Sequence, residues 1–431
     1  MSMPISFSAD ISFENFLQEI PSDFHEMARE FKAFARARKI RSPEELLQVV
    51  MEYCAMDFSL RTIAGRHSFL SGYISDTAIH ERLKASLPWV KAMLRKMHSE
   101  HSNGLIDGNF RIVVVDGSTV QAPGAKGISN RLHIMVDLVK LDVLFVEHTD
   151  AHTGESLNNY PFREGDLAVA DRGYPHPEAI ISLSERGVNV VVRYNPNGMI
   201  LYDDSMNKIN INSILDEANG NACCTPVRVG HKGKYSEGYL HAIPMPPDQA
   251  AQAKRRAKQA SKKKGYTLKA DTLRFAGWVF IFTTLSSAIL NTKSIGMLYR
   301  VRWQIELVIK RLKSILSLDR LRAQEGSQLG QMYLYGKLLY AYVVEQCRKK
   351  LFPSNDDWLI GVRVKTPWRE MVIATEQVKS WIMSAANFDP SRVLEAEKAM
   401  RERLRNRKLQ VMPEGVQQII EWCRSKELSG I

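Results

Sequence analysis

The sequence predicts an α/β layer fold flanked by helices, and three observations lead there. A β-branched run at Arg111–Val115 is followed by strand-like stretches at Leu132–Val139 and Val143–His148, so the middle of the chain begins as a meander. A strand–helix–strand unit follows, at Leu167–Ala170, Pro177–Arg186 and Val188–Arg193. On both sides the apolar residues recur at helical spacing, most clearly over Tyr299–Lys313.

Bulk properties narrow the class of molecule. A chain of 431 residues is too long for one simple core and predicts two to four domains. The formal net charge of +12 points to a polyanionic partner, most simply nucleic acid. The five cysteines are odd in number and lack CxxC spacing, which argues against a disulfide framework or a zinc site. The N-terminus, Met-Ser-Met-Pro-Ile-Ser, has no basic stretch and no long apolar core, so no signal peptide is expected. The longest apolar run, near Val279–Leu290, is too short and too rich in hydroxyls to span a bilayer. The expectation is a cytoplasmic protein associated with DNA, with no membrane partner.

Taken in order, residues 1–105 read as helices at Phe13–Ile20, Phe24–Ala35, Pro43–Met56, Asp76–Ser86 and Trp89–His98. Ser75 is placed to N-cap a helix that presents Thr77, His80, Arg82 and Lys84. With the helix-like stretch from Leu60 before it, this is either a helix-turn-helix or an ordinary three-helix unit. Residues 106–195 hold the meander, a helix at Glu155–Tyr160 and the strand–helix–strand unit; Lys140-Leu141-Asp142 reads as a hairpin turn. Asn195-Pro-Asn-Gly marks a boundary. Residues 196–277 then break the rhythm with short polar strands and the run Lys254–Lys264, which has seven cations and no acid. That run is either a disordered loop or a basic helix that orders on phosphates. Residues 278–352 return to a core strand and helices. A helical region, 353–431, closes the chain with helices at Pro367–Ala385 and Ser391–Lys408.

The chemistry concentrates on the stretch Tyr299–Lys313, which has no Gly or Pro and is read as one helix. Tyr299, Arg302, Glu306, Lys310 and Lys313 fall within an arc of roughly 80°, beside an apolar stripe. This is either a solvated face of ion pairs or a site that meets something anionic or metallic. Two acids elsewhere strengthen the second reading. Asp116 follows the strand Arg111–Val115 and Asp171 follows Leu167–Ala170, although each also fits turn or cap chemistry. Three converging carboxylates repel one another unless a cation neutralises them. Oxygen-only ligands select Mg²⁺ or Mn²⁺. A pair of such ions about 4 Å apart activates a water or 3′-hydroxyl against a phosphodiester.

The chain resembles a DDE transposase of the insertion-sequence-four type. That branch carries a Tyr-x2-Arg-x3-Glu-x6-Lys signature, met here by Tyr299, Arg302, Glu306 and Lys313. Its first acid lies in an Asp-Gly-Ser/Thr context, met by Asp116-Gly-Ser-Thr, and its second in Asp171-Arg-Gly-Tyr174. The resemblance covers about 106–320 and implies a ribonuclease H-like mixed sheet with a β-rich insertion at 196–277, between helical N- and C-terminal domains. It implies that Asp116, Asp171 and Glu306 bind two Mg²⁺ or Mn²⁺ ions and carry the catalysis. It implies DNA contacts from Tyr299, Arg302 and Lys313, and Lys310 on the same helical arc and Arg172 beside Asp171 are expected to join them. Trp278 either stacks on a flipped base beside the cut or is a core residue. The implied substrate is double-stranded DNA, both the inverted-repeat ends and the target, handled by a homodimer. A non-catalytic DNA-binding derivative, or a nuclease without strand transfer, is the alternative. The catalytic reading requires the three acids to meet in space.

Overall fold

A computed structural model describes residues 12–383, except 72, 103–109, 122–129, 139–142, 151, 197, 319–320, 325–326, 354–362 and 365; it also describes 402–403. The expected turn at 140–142 therefore lies outside the described residues, as does most of the helix expected at Ser391–Lys408.

The chain begins with helices α1 (Phe13–Leu17), α2 (Phe24–Glu30), α3 (Pro43–Cys54), α4 (Leu60–Ser71) and α5 (Asp76–Ser102). Ser42 and Ser75 cap α3 and α5, their hydroxyls accepting from Glu45 N at 3.3 Å and Ala78 N at 3.1 Å. Two helices were expected where α5 stands, broken before Pro88. The structure has one helix of 27 residues through that proline. Leu83, Leu87, Trp89, Val90 and Met93 are all buried along it. That burial outweighs the single backbone bond a proline removes.

Next come β1 (Arg111–Val120), β2 (Asn130–Asp137), β3 (Val143–Asp150), β4 (Asp166–Ala170), α6 (Pro177–Glu185), β5 (Asn189–Arg193), β6 (Leu201–Tyr202) and α7 (Ile211–Ala218). They are followed by β7 (Cys223–His231), β8 (Lys234–Pro244), α8 (Pro247–Lys264), α9 (Ala270–Phe275) and β9 (Trp278–Thr283). The nine strands form one mixed sheet in the order β3-β2-β1-β4-β5-β9-β8-β7-β6. β2 and β3 run antiparallel as a meander beside β1, while β4 and β5 run parallel to it. The short polar strands expected in 196–277 are instead a long hairpin, β7–β8, that joins the same sheet through β9. The basic run is ordered as α8: Ala253, Ala257 and Ser261 turn inward, and its seven cations are exposed.

Strand alternation builds two cores. Ile112, Val114, Leu167, Val169 and Val191 face one cluster; Val113, Val115, Ala168, Ala170, Val190 and Val192 face the other. The second face is covered by α6 and α7. The first is covered by α10 (Thr292–Val301), α11 (Gln304–Leu316) and α12 (Gln328–Leu351), and its cluster continues into α1–α5 and α13 (Pro367–Met383). Arg363–Val364 pairs with Glu402–Arg403 as a two-residue ladder, so 402–403 are extended where a helix was expected. Among the described residues no helix is long and apolar enough to cross a membrane.

Candidate active site

Parallel register brings the two aspartates together. Val114 lies opposite Val169 on β4, so two residues further on Asp116 and Asp171 stand at equivalent positions. Both continue the even–odd sequence of the face that packs on α10 and α11: 112, 114, 116 and 167, 169, 171. β5 extends the row, because Ala170 lies opposite Val192 and so Asp171 lies level with Arg193. Asp116 does not end its strand as expected. β1 runs on to Val120, paired only with β2, and Asp116 faces the space left where β4 stops.

The helix expected over Tyr299–Lys313 is two helices. α10 ends at Val301 and α11 starts at Gln304, and the link is made of i→i+3 bonds. Arg302 N donates to Tyr299 O at 3.3 Å, and Glu306 N donates to Trp303 O at 3.1 Å. The link drops Arg302 inward, leaving it 8% exposed. Its guanidinium reaches all three acids: Glu306 Oε1 at 2.9 Å, Asp116 Oδ2 at 3.8 Å and Asp171 Oδ2 at 3.9 Å. Tyr299 donates its hydroxyl to Asp171 Oδ1 at 2.8 Å. Lys313 donates to the Thr119 carbonyl at 2.9 Å, tying α11 to β1. Lys310 and Arg172 are exposed.

The two aspartates differ electrostatically. Burial pushes the Asp116 carboxyl up to about 6, with Glu306 and Glu155 adding to the rise against the opposing pull of Arg302. Burial also works on Asp171, but the Arg172 backbone N–H, Arg302 and Tyr299 outweigh it and hold the carboxyl below its ordinary value. The acids thus meet on one guanidinium. Among the described residues no group of three or more His, Cys, Asp or Glu side chains is arranged to hold a metal ion as it stands.

Three features escaped the sequence reading. Glu155 was expected at a helix start, yet the only helical turn there, Leu157–Asn159, is capped by Ser156. Glu155 instead wedges between Gly117 of β1 and Gly173 of the turn after β4: a Cβ at Gly173 would collide with its carboxylate, and one at Gly117 would come within 3.1 Å of its Oε1. Arg131 faces it at 3.3 Å. The glycine after each aspartate, one and two residues on, was the available signal. Second, Tyr160 donates to the Asp116 carbonyl at 3.1 Å. Its one hydrogen is then used, so Tyr174 is the donor in their 3.0 Å contact. The tyrosine of Asp171-Arg-Gly-Tyr174 therefore steadies the strand that carries the other aspartate. Third, Arg193 lines a pocket of about 330 Å³ with Asp171, Tyr299, Arg300, Arg302 and Trp303. A larger pocket of about 770 Å³ lies beside it, with Arg172, Arg193, Arg256 and Trp278 in its walls. Trp278 is half-buried at the start of β9, opposite Pro244, and packs on the second core. His133 and His148 make side-chain hydrogen bonds with Thr149 and Asn130.

Residues 107–339 match the family described as the transposase DDE domain, and the chain belongs to that family. It is similar to the putative transposase InsL of insertion sequence element IS186A from Escherichia coli (strain K12), 30% identical over 337 residues that cover 75% of this chain and 90% of the relative. The transposase of insertion sequence element IS421 from Escherichia coli is also 30% identical, over 338 residues with the same coverage. The transposase of IS231F from Bacillus thuringiensis subsp. israelensis is 24% identical over 408 residues, covering 81% of this chain and 82% of its own. By this membership the protein is a transposase, an enzyme that acts on DNA.

Proposed function

We propose that the protein cuts DNA at the ends of an insertion sequence and joins the freed 3′-hydroxyls to target DNA, by cut-and-paste. One observation carries this reading: carboxylates from β1, the end of β4 and the first turn of α11 all reach the same guanidinium. A place that three acids already share with one cation, built only of oxygen donors, fits Mg²⁺ or Mn²⁺. Asp116, Asp171 and Glu306 are the residues to hold two such ions, which when bound supply an activated nucleophile and stabilise the leaving oxygen. The sheet order β3-β2-β1-β4-β5, with its first three strands antiparallel, supports reading 106–195 and 278–352 as a ribonuclease H-like core.

DNA contacts are assigned to Tyr299, Arg302, Lys310 and Lys313 along α10 and α11 and to Arg172 next to Asp171, with Trp278 stacking on an unpaired base in the pocket beside Arg172. The helices of 1–105 recognise the ends. The exposed cations of α8, in the insertion 196–277, add a salt-sensitive and non-specific contribution. Two ends cut in concert call for a homodimer on DNA, working in the cytoplasm. The deciding assay uses a linear fragment that carries the element's ends, Mg²⁺ and a supercoiled target. Cutting and joining are expected. Cutting without joining assigns a nuclease, and binding without cutting assigns a non-catalytic derivative.

A further inference from the structure

Arg302 has a second part to play, beyond contact with DNA. Its guanidinium is buried among Asp116, Asp171 and Glu306, but only Glu306, at 2.9 Å, is within hydrogen-bond reach. The contacts at 3.8 and 3.9 Å are held by charge alone. A guanidinium has its donors in one planar fork, and here a single N–H, on Nη2, bonds one oxygen of Glu306 while the other two acids are merely neutralised. The acids are correspondingly not arranged to share an ion as they stand. Tyr299 meanwhile holds Asp171 by its other oxygen, so that acid keeps a partner of its own besides the guanidinium, which also lies over the Tyr299 ring at 5.7 Å. The residue sits at the break between α10 and α11, just outside both helices.

Resting on the ion site proposed above, we infer that Arg302 is a positioning residue that serves as the exchangeable counter-ion of the acid centre. Without DNA its guanidinium keeps the three carboxylates together and occupies the place of the divalent ions. A phosphate of the bound DNA, which offers the fork two oxygens at once, draws it away and opens that place. Ion loading and DNA binding are then coupled, and by linkage each strengthens the other by the same factor.

The test measures Mn²⁺ affinity of the full chain by titration calorimetry, with and without a duplex copied from the element's terminal inverted repeat. The wild type is expected to bind Mn²⁺ about tenfold more tightly with the duplex than without it, within the usual range of coupling between sites. Arg302→Gln is expected to bind Mn²⁺ about tenfold more tightly than wild type in the absence of DNA, and to gain little from the duplex. Equal DNA-free affinities, or an undiminished gain in the variant, overturn the inference. Should the variant fail to fold, the wild type still decides: saturating Mn²⁺ must tighten duplex binding by the factor measured the other way, and no coupling overturns the inference. An absence of Mn²⁺ binding to either protein, with or without DNA, overturns the ion site itself.

Discussion

The ladder between β1 and β4 has charged groups at its start and just past its end, and the two sites are built differently. At the start, Arg111 lies opposite Asp166 and forks onto both of its carboxylate oxygens at 2.7 Å. The Arg163 backbone N–H completes the shell at 2.9 Å, and both side chains are buried. Five residues along each strand (111 to 116, 166 to 171), on the opposite face because five is odd, stand Asp116 and Asp171. There one guanidinium serves three acids, two of them beyond hydrogen-bond distance. The first end is stoichiometric and saturated, so it holds structure and offers nothing to a ligand. The second leaves two of its three acids without a hydrogen bond from the guanidinium, and such unsatisfied carboxylates are what a cation-using site needs.

The contrast is open to attack at several scales. Asp116→Ala should lower cleavage of the linear fragment by more than about 10³-fold, the scale of losing several kcal/mol of transition-state stabilisation. DNA binding in a gel-shift assay should stay largely intact; equal loss of binding would remove Asp116 from the chemistry. At the other end, Asp166→Ala should cost about 3–5 kcal/mol in denaturant unfolding, because it strands a buried arginine. A cost below about 1 kcal/mol would mean the pair is not structural.

Asp116→Asn probes the second site by pH. The folded carboxyl lies at about 6 against an ordinary 3.8, so the folded state holds the proton more tightly. Protonation therefore favours folding, and that contribution is lost as pH rises through about 6. Asp116→Asn should stabilise the protein at pH 8 by on the order of 1–3 kcal/mol and give no gain near pH 4. Thermal melts at the two pH values check the sign, and a uniform shift would refute it. Cleavage by the wild type should rise through the same pH. The smallest effect is expected of Tyr160→Phe, which removes the bond to the Asp116 carbonyl and costs about 1 kcal/mol of stability. A hydrogen-exchange comparison should place the loosening along β1, and unchanged protection there would remove Tyr160 from the support of Asp116.

Much of the site was legible because its signals are local. Asp116 and Asp171 each follow a β-branched or apolar run, and the Tyr-Arg-Glu-Lys spacing survives as written. The break at Arg302–Trp303 was not legible, since no Gly or Pro marks it and either side is a good helix former. Arg193 and Glu155 were missed because neither stands in a motif; one is placed by a neighbouring strand's register and the other by the gap between two glycines. The helix through Pro88 was misread because proline's local cost is visible in the sequence while the burial that offsets it is not.

The residue string alone indicated most of the strands and helices in order, the excess of positive charge and three acids to bring together, because alternation, helical spacing and residue chemistry act over a few positions. Only the tertiary structure decided that those acids share one arginine, that β1 outruns β4 beside them, and that the hairpin of 196–277 extends the same sheet. Those outcomes depend on strand register and on packing between segments more than a hundred residues apart, such as Asp171 and Tyr299, and no short window of sequence contains them.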